Sequence, residues 1–187
     1  MTYFDSRDIA AIAICASLWG VLNPIFSPMF FRMTGFPLLC DLMGFAILTI
    51  AVWWTRKLGA ITVIGLIATV LNFMLNPTGT QFLGFTAASI AFDIATRLIG
   101  YDNAFKKPTY TIISMVATST LSAAIAGYII ATFFMIAPGG AIGWAAIHAA
   151  GGVIGGAIGA VLVIALTSRG ISARPSREAK NKVQAQL

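Results

Sequence analysis

Long apolar runs separated by short polar links make up most of this chain. Six runs, each near the length of roughly 20 residues that a helix needs to cross a bilayer, cover residues 9–26, 36–54, 59–75, 81–100, 108–137 and 141–168. None of them shows the strict alternation of apolar and polar residues that is typical of strands in a membrane barrel. Since lipid offers no hydrogen-bond partner to backbone amides, each run is predicted to be helical. The pattern therefore predicts an all-α membrane protein, a bundle of six transmembrane helices.

Helix-breaking residues set the limits of these runs. Asn23, Pro24, Ser27 and Pro28 close the first run, the segment NPTG at 76–79 ends the third, and Pro138 with two glycines separates the last two. We expect residues 27–35 to form a loop, and whether that loop covers the end of the bundle as a lid is left open. The domain boundaries follow: residues 1–170 form the transmembrane domain, and residues 171–187 form a basic tail.

Composition and charge add a location and an orientation. With 58% hydrophobic and 10% charged residues, the chain is not an ordinary soluble domain. Six spans would place both termini on one side together with almost every cation, namely Arg7, Arg56, Lys57, Arg97, Lys106, Lys107, Arg169, Arg174, Arg177, Lys180 and Lys182. Only Arg32 falls on the other side. Because Lys and Arg are retained in the cytoplasm, we expect cytoplasmic termini in the cell membrane, and we interpret the net charge of +6 as retention and lipid contact, not nucleic-acid binding.

Polar residues gather at one depth in the outward half of the predicted bundle. The members of this group are Trp19, Asn23, Asp41, Asn72, Asn76, Gln81, Trp144 and His148. Apolar walls with a few polar groups are typical of a small-molecule site, so we predict a substrate pocket here. The two tryptophans would stack on a flat ring, preferably a cationic one, and Asp41 would balance its charge. The amides and the imidazole would donate or accept hydrogen bonds.

Two of these residues have a structural interpretation as well. Asp41 is a carboxylate within two helical turns of the outer surface, where it needs water, a cation or a ligand, but loop amides or Arg32 are alternative partners. His148, the single histidine, is either a hydrogen-bonding group of the pocket or a satisfied interior side chain. Both interpretations stay open at this stage.

Small residues recur at helical spacing on two of the predicted spans. Gly151, Gly155 and Gly159 form one row on the last span, and Gly152, Gly156 and Ala160 form a second row beside it. Such rows let neighbouring helices approach closely, so we predict packing surfaces. The first span carries a comparable strip that would pack inside the bundle or against another protein; its members are Ala13, Ala16, Ser17 and Gly20.

Several chemistries find no support in the sequence. No glycine-rich phosphate loop with its Lys and Ser/Thr is present, so the chain has no ATPase motor of its own. One His, two Cys and few carboxylates make no metal, haem or iron–sulfur cluster, and no nucleophile, base and orienting group fall together. We therefore expect neither a cofactor nor an enzymatic activity.

Some segments resemble a known family, the substrate-binding S components of energy-coupling factor (ECF) transporters. The closest similarity is to the thiamine and hydroxymethylpyrimidine branch, in RKLGAITVIGLIATVLNFMLNPTG at 56–79 and GFTAASIAFDIATR at 84–97. The final GGVIGGAIGAVLVIALTSRGI at 151–171 is also similar in style to S components. The resemblance implies six helices, an outward vitamin pocket, and partners in a transmembrane T component and two ATPase subunits. It also implies that the small-residue strip of the first helix contacts the T component.

The sequence thus predicts a substrate-binding subunit of a vitamin importer. Two alternatives from other classes remain: an accessory subunit whose glycine faces build a larger membrane complex, and a small independent permease that uses the polar belt as its filter.

Overall fold

The computed structural model describes residues 3–136, 139–171 and 173, and these residues form helices and links without a strand. The all-α class predicted from the sequence is therefore confirmed for the described part of the chain. The helices are α1 (Ser6–Thr34), α2 (Leu38–Thr55), α3 (Ala60–Leu75), α4 (Phe82–Ile99), the short α5 (Tyr101–Ala104), α6 (Pro108–Phe133) and α7 (Gly140–Ser168). Apart from residues 171 and 173, the predicted tail lies outside the described residues.

Five helices are long and apolar enough to cross a membrane, which indicates a multi-pass membrane protein. They are α1, α2, α4, α6 and α7. The third predicted span forms α3, which is apolar but has 16 residues. The predicted break between α6 and α7 is present, because α6 ends at Phe133 and α7 begins at Gly140. Gly139 and Gly140, at the start of α7, have φ angles of 78° and 68°, which glycine adopts readily. Pro138 lies outside the described residues.

The first helix is longer than the sequence predicted. It continues through Pro24 and Pro28 to Thr34 and ends at Gly35, which has a φ of 74°. The expectation of a loop over residues 27–35 is therefore wrong. A proline removes one backbone hydrogen bond, but a membrane helix tolerates it when neighbouring groups compensate, because unwinding the chain there would leave more amides unpaired. Ser27 Oγ donates to Asn23 Oδ1 at 2.6 Å along this stretch.

Helix α7 packs most extensively against α6 and α2 and lies between them. Its two glycine rows make these contacts. A Cβ added at Gly155 would lie 2.8 Å from Asp41 O of α2, and one added at Gly152 would lie 2.6 Å from Ser119 O of α6. Both distances are shorter than van der Waals contact, so only glycine allows the backbones to approach this closely. The prediction that these rows are packing surfaces is confirmed.

The opposite ends of the bundle differ in charge. One of them, here called the basic end, comprises the start of α1, the α2–α3 link, the segment from the end of α4 through α5 to the start of α6, and the end of α7. Lys57 pairs there with the buried Asp8, and Arg56 Nη1 lies 3.1 Å from Asp102 Oδ1. Asp93 of α4 accepts hydrogen bonds from the amides of Gly59 and Thr62 at 2.8 and 3.1 Å. The Asp93 carboxylate therefore stabilises the amino end of α3, where a helix favours negative charge.

Candidate functional site

A cavity of about 300 Å³ opens at the other end of the bundle, here called the cavity end. The late turns of α1, the first turns of α2, α4 and α7, and the end of α6 surround it. Its walls are mostly apolar and aromatic, and they include Phe31, Phe82, Phe85, Ile130 and Met135. Such a cavity is at the small end of the range for sites that bind organic molecules.

Five of the eight residues predicted to bind substrate line this cavity. They are Asn23, Asn76, Gln81, Trp144 and His148. The other three, Trp19, Asp41 and Asn72, are almost fully buried behind the wall and do not line it. Trp19 packs across the backbone of Gly44, where an added Cβ would lie 3.1 Å from its ring, and meets Phe85 edge-on at 5.9 Å between centroids. Its position is therefore that of a packing residue behind the wall.

The central polar contact of the site joins His148 to Asp41. His148 Nδ1 lies 2.9 Å from Asp41 Oδ1, and the exposed fractions of the two side chains are 2% and 0%. Glycines make room for both partners. A Cβ at Gly151 would lie 2.6 Å from Asp41 Cβ, and a Cβ at Gly127 would lie 2.8 Å from His148 Cδ2. The sequence singled out both partners but did not predict that they pair with each other.

This pairing determines what His148 offers to the cavity. An ionised carboxylate only accepts, so an ionised Asp41 places a proton on His148 Nδ1. In a neutral ring Nε2 is then an acceptor, and in a charged ring it is a donor. His148 Nε2 is buried and has no hydrogen-bond partner among the described residues. His148 itself lines the cavity, so a solute bound there is a candidate partner for this atom.

Aromatic rings hold the imidazole from two directions. The centroids of Phe85 and Trp144 each lie 5.7 Å from that of His148, with interplanar angles of 61° and 67°. Phe31 of the extended α1 meets Trp144 at 6.3 Å. The sequence analysis missed Phe31 because it treated that stretch as a loop. It also missed Phe82 and Phe85, although their spacing of three residues next to Gln81 could have indicated a shared helix face.

Two further buried polar atoms belong to residues of the cavity wall. Asn23 Nδ2 and Trp144 Nε1 have no hydrogen-bond partner among the described residues. Buried polar groups in proteins are usually paired, so each unpaired one calls for an explanation. Together with His148 Nε2, they make three buried, unpaired polar atoms on described residues that line the cavity.

The small-residue strip of α1 is divided between the interior and the surface. Ala16 and Gly20 are buried, and an added Cβ at Gly20 would lie 2.8 Å from Leu71 Cβ of α3. Ala13 and Ser17 are exposed on the outer face of α1, where together with Leu18 they line a shallow groove. One half of the strip thus packs inside the chain, and the other half faces outward.

Fold and site define a helical, multi-pass membrane protein with a small polar-and-aromatic cavity near one end of the bundle. No family model, curated protein or solved structure matches this chain.

Proposed function

We propose that this protein is the substrate-binding subunit of an ECF-type importer for a vitamin or vitamin precursor. In this proposal the chain crosses the cytoplasmic membrane six times, both termini are cytoplasmic, and the cavity opens outward. The observation that carries the proposal is the cavity itself, whose lining residues combine aromatic rings with polar atoms of Asn23, Trp144 and His148 that are buried and have no partner among the described residues. A protein that only builds a larger assembly has no need for such a wall.

The charges of the described residues support the orientation. The cations Arg7, Arg56, Lys57, Arg97, Lys106, Lys107 and Arg169 belong to the basic end, whereas Arg32 belongs to the cavity end. Cytoplasmic loops of membrane proteins carry an excess of Lys and Arg. The basic end is therefore assigned to the cytoplasm, which leaves the cavity facing the outside, where a solute for import is captured.

The partners in this proposal come from the family resemblance. A T component would contact the exposed part of the α1 strip, at Ala13 and Ser17, and two separate ATPase subunits would supply energy by nucleotide hydrolysis. The buried part of the strip, at Ala16 and Gly20, would serve the bundle alone. Reorientation of the loaded subunit against its T component would then release the solute to the cytoplasm.

Thermal unfolding of the purified protein with a panel of vitamins tests the proposal. A ligand that binds only the folded state stabilises it by about 2.7 kcal/mol when its concentration is 100 times Kd. We expect one or more of thiamine, hydroxymethylpyrimidine, riboflavin, pyridoxine, biotin, pantothenate and nicotinate to raise the midpoint of unfolding.

A matched pair of variants locates the binding. Trp144→Phe keeps an aromatic ring but removes the Nε1 donor, and we expect affinity to fall by about 10-fold, the effect of one lost hydrogen bond. Trp53→Phe makes the same change at a buried tryptophan of the basic end, and affinity should not change.

A vitamin panel in which no member raises the midpoint of unfolding would favour the accessory subunit. Solute uptake by liposomes that contain only this chain would favour the independent permease.

A further inference from the structure

In the part of the chain that the structure describes, the cavity wall carries one cation and no exposed carboxylate. Arg32, in the last turn of α1, lines the cavity and is exposed. Among the described residues it is the only Lys or Arg of the cavity end, and it has no acidic partner there. Asp41 is the only acidic residue of that end in the described part of the chain. Its side chain is fully buried, does not line the cavity and contacts His148 instead.

Three neutral side chains of the wall present N–H donors. Asn23 Oδ1 accepts a hydrogen bond from Ser27 Oγ at 2.6 Å, which leaves its buried Nδ2 to donate. Asn76 Oδ1 likewise accepts from Thr78 Oγ1 at 2.9 Å, which leaves its amide N–H groups as donors. Trp144 Nε1 is able only to donate. With the guanidinium of Arg32, four side chains of the wall thus present N–H groups.

Donors and a cation recognise acceptors and an anion. From this arrangement we infer that the cavity binds an organic anion, a ring compound or small vitamin-like acid whose acidic group is bound by Arg32 at the mouth. The inference rests on the proposed function and specifies its substrate class. The sequence analysis predicted a cationic ring as the substrate, with Asp41 facing it. Because Asp41 faces His148 instead, the inference replaces the cation with an anion.

The test compares acids with their neutral analogues. Nicotinate with nicotinamide, pantothenate with pantothenol, and biotin with biotin amide are titrated into the protein in a neutral detergent without lipid, so that the free acid is the only organic anion present. Thiamine serves as the cationic probe. We expect the acid of at least one pair to bind about 10-fold or more tightly than its neutral analogue, since a hydrogen bond to a charged group contributes about 1.5–3 kcal/mol.

Variants of Arg32 connect this preference to one side chain. Arg32→Gln should remove the preference for the acid and leave the affinity for the neutral analogue unchanged, and Arg32→Lys should keep part of it. Arg7→Gln, an exposed arginine of the basic end, is the matched control and should bind the acid as the unchanged protein does. Equal melting midpoints of the unliganded variants show that the substitutions have not disturbed the fold.

Three outcomes would overturn the inference, and they are distinguishable. If thiamine or the neutral analogues bind and the acids do not, the substrate class is wrong and the importer proposal stands. If Arg32→Gln keeps the acid preference, Arg32 does not bind the acidic group of the solute and the inference fails. If no member of any pair binds and the wider vitamin panel also fails, the proposed function fails together with the inference.

Discussion

Asp41 and His148 are 107 positions apart in the chain, and a 2.9 Å hydrogen bond joins their side chains in the interior. Taken singly, each residue has several possible partners in the sequence. Together they form a unit in which the carboxylate contacts the imidazole at Nδ1, and Nε2 of this cavity-lining residue has no partner among the described residues. In our interpretation Asp41 is a positioning residue, and His148 is the group that contacts the solute.

Removal of this contact should be costly because it is buried. Asp41→Ala leaves the imidazole N–H without an acceptor, and an unsatisfied buried group costs about 1–3 kcal/mol. Asp41→Asn retains an acceptor oxygen and should lose less. The measurement is the midpoint of thermal unfolding in detergent. The control is Asp102→Ala, which breaks the ion pair with Arg56. Because the Asp102 side chain is 44% exposed, this change should lower the free energy of unfolding by less than about 1 kcal/mol. Equal midpoints for Asp41→Ala and the unchanged protein would contradict this account.

At the scale of the helices, glycine decides how closely α7 meets its neighbours. Gly151, Gly155 and Gly159 contact α2, and Gly152 and Gly156 contact α6. Periodicity alone showed that these rows are packing surfaces, because small residues at helical spacing have that role in membranes. Periodicity does not show which helix each row contacts. Similarly, two prolines predicted the end of α1 near residue 28, but the packed bundle keeps the helix intact to Thr34.

The Gly155 contact predicts that a change of Gly to Ala destabilises the protein, which is opposite to its effect in an isolated helix. In an isolated helix a change of Gly to Ala stabilises by about 1 kcal/mol. In α7 the new Cβ would lie 2.8–3.0 Å from the backbone of Asp41 and Leu42, which cannot move without shifting α2. We therefore expect Gly155→Ala to lower the midpoint of unfolding. Ala150→Leu adds more atoms to the same helix on its exposed face and should change the midpoint little. A higher midpoint of unfolding for Gly155→Ala would show that the backbones of α2 and α7 are not this close.

At the scale of the whole molecule, the orientation we propose rests on the separation of charge between the two ends, and the number of crossings depends on α3. The 16 residues of α3 span about 24 Å at 1.5 Å per residue, which is less than a hydrocarbon core of about 30 Å. Local thinning of the bilayer accommodates a mismatch of this size at modest cost. Since α3 packs against both α1 and α4, which are candidate spans, six crossings are the arrangement we propose.

Cysteine labelling tests the sixth crossing. With Cys15 and Cys40 replaced by alanine, single cysteines are introduced at Leu58 and Thr78, which are exposed on either side of α3. A membrane-impermeant maleimide should label Thr78→Cys in intact cells, and it should label Leu58→Cys only after permeabilisation. Labelling of both positions from one side would mean that α3 does not cross and that the chain has five spans.

The sequence by itself determined the properties that depend on local composition: a helical membrane protein, the division into apolar runs, the packing role of the glycine rows, and five residues that line the cavity. Hydropathy and helical periodicity are properties of neighbouring positions, so they can be read along the chain. Tertiary structure alone decided that Asp41 faces His148 and not the cavity, that Ala16 and Gly20 are buried while Ala13 and Ser17 are exposed, and that Arg32 lines the same cavity as the N–H groups of three neutral side chains. The reason is that each of these features depends on how separate helices are rotated and placed against one another, and no single segment contains that information.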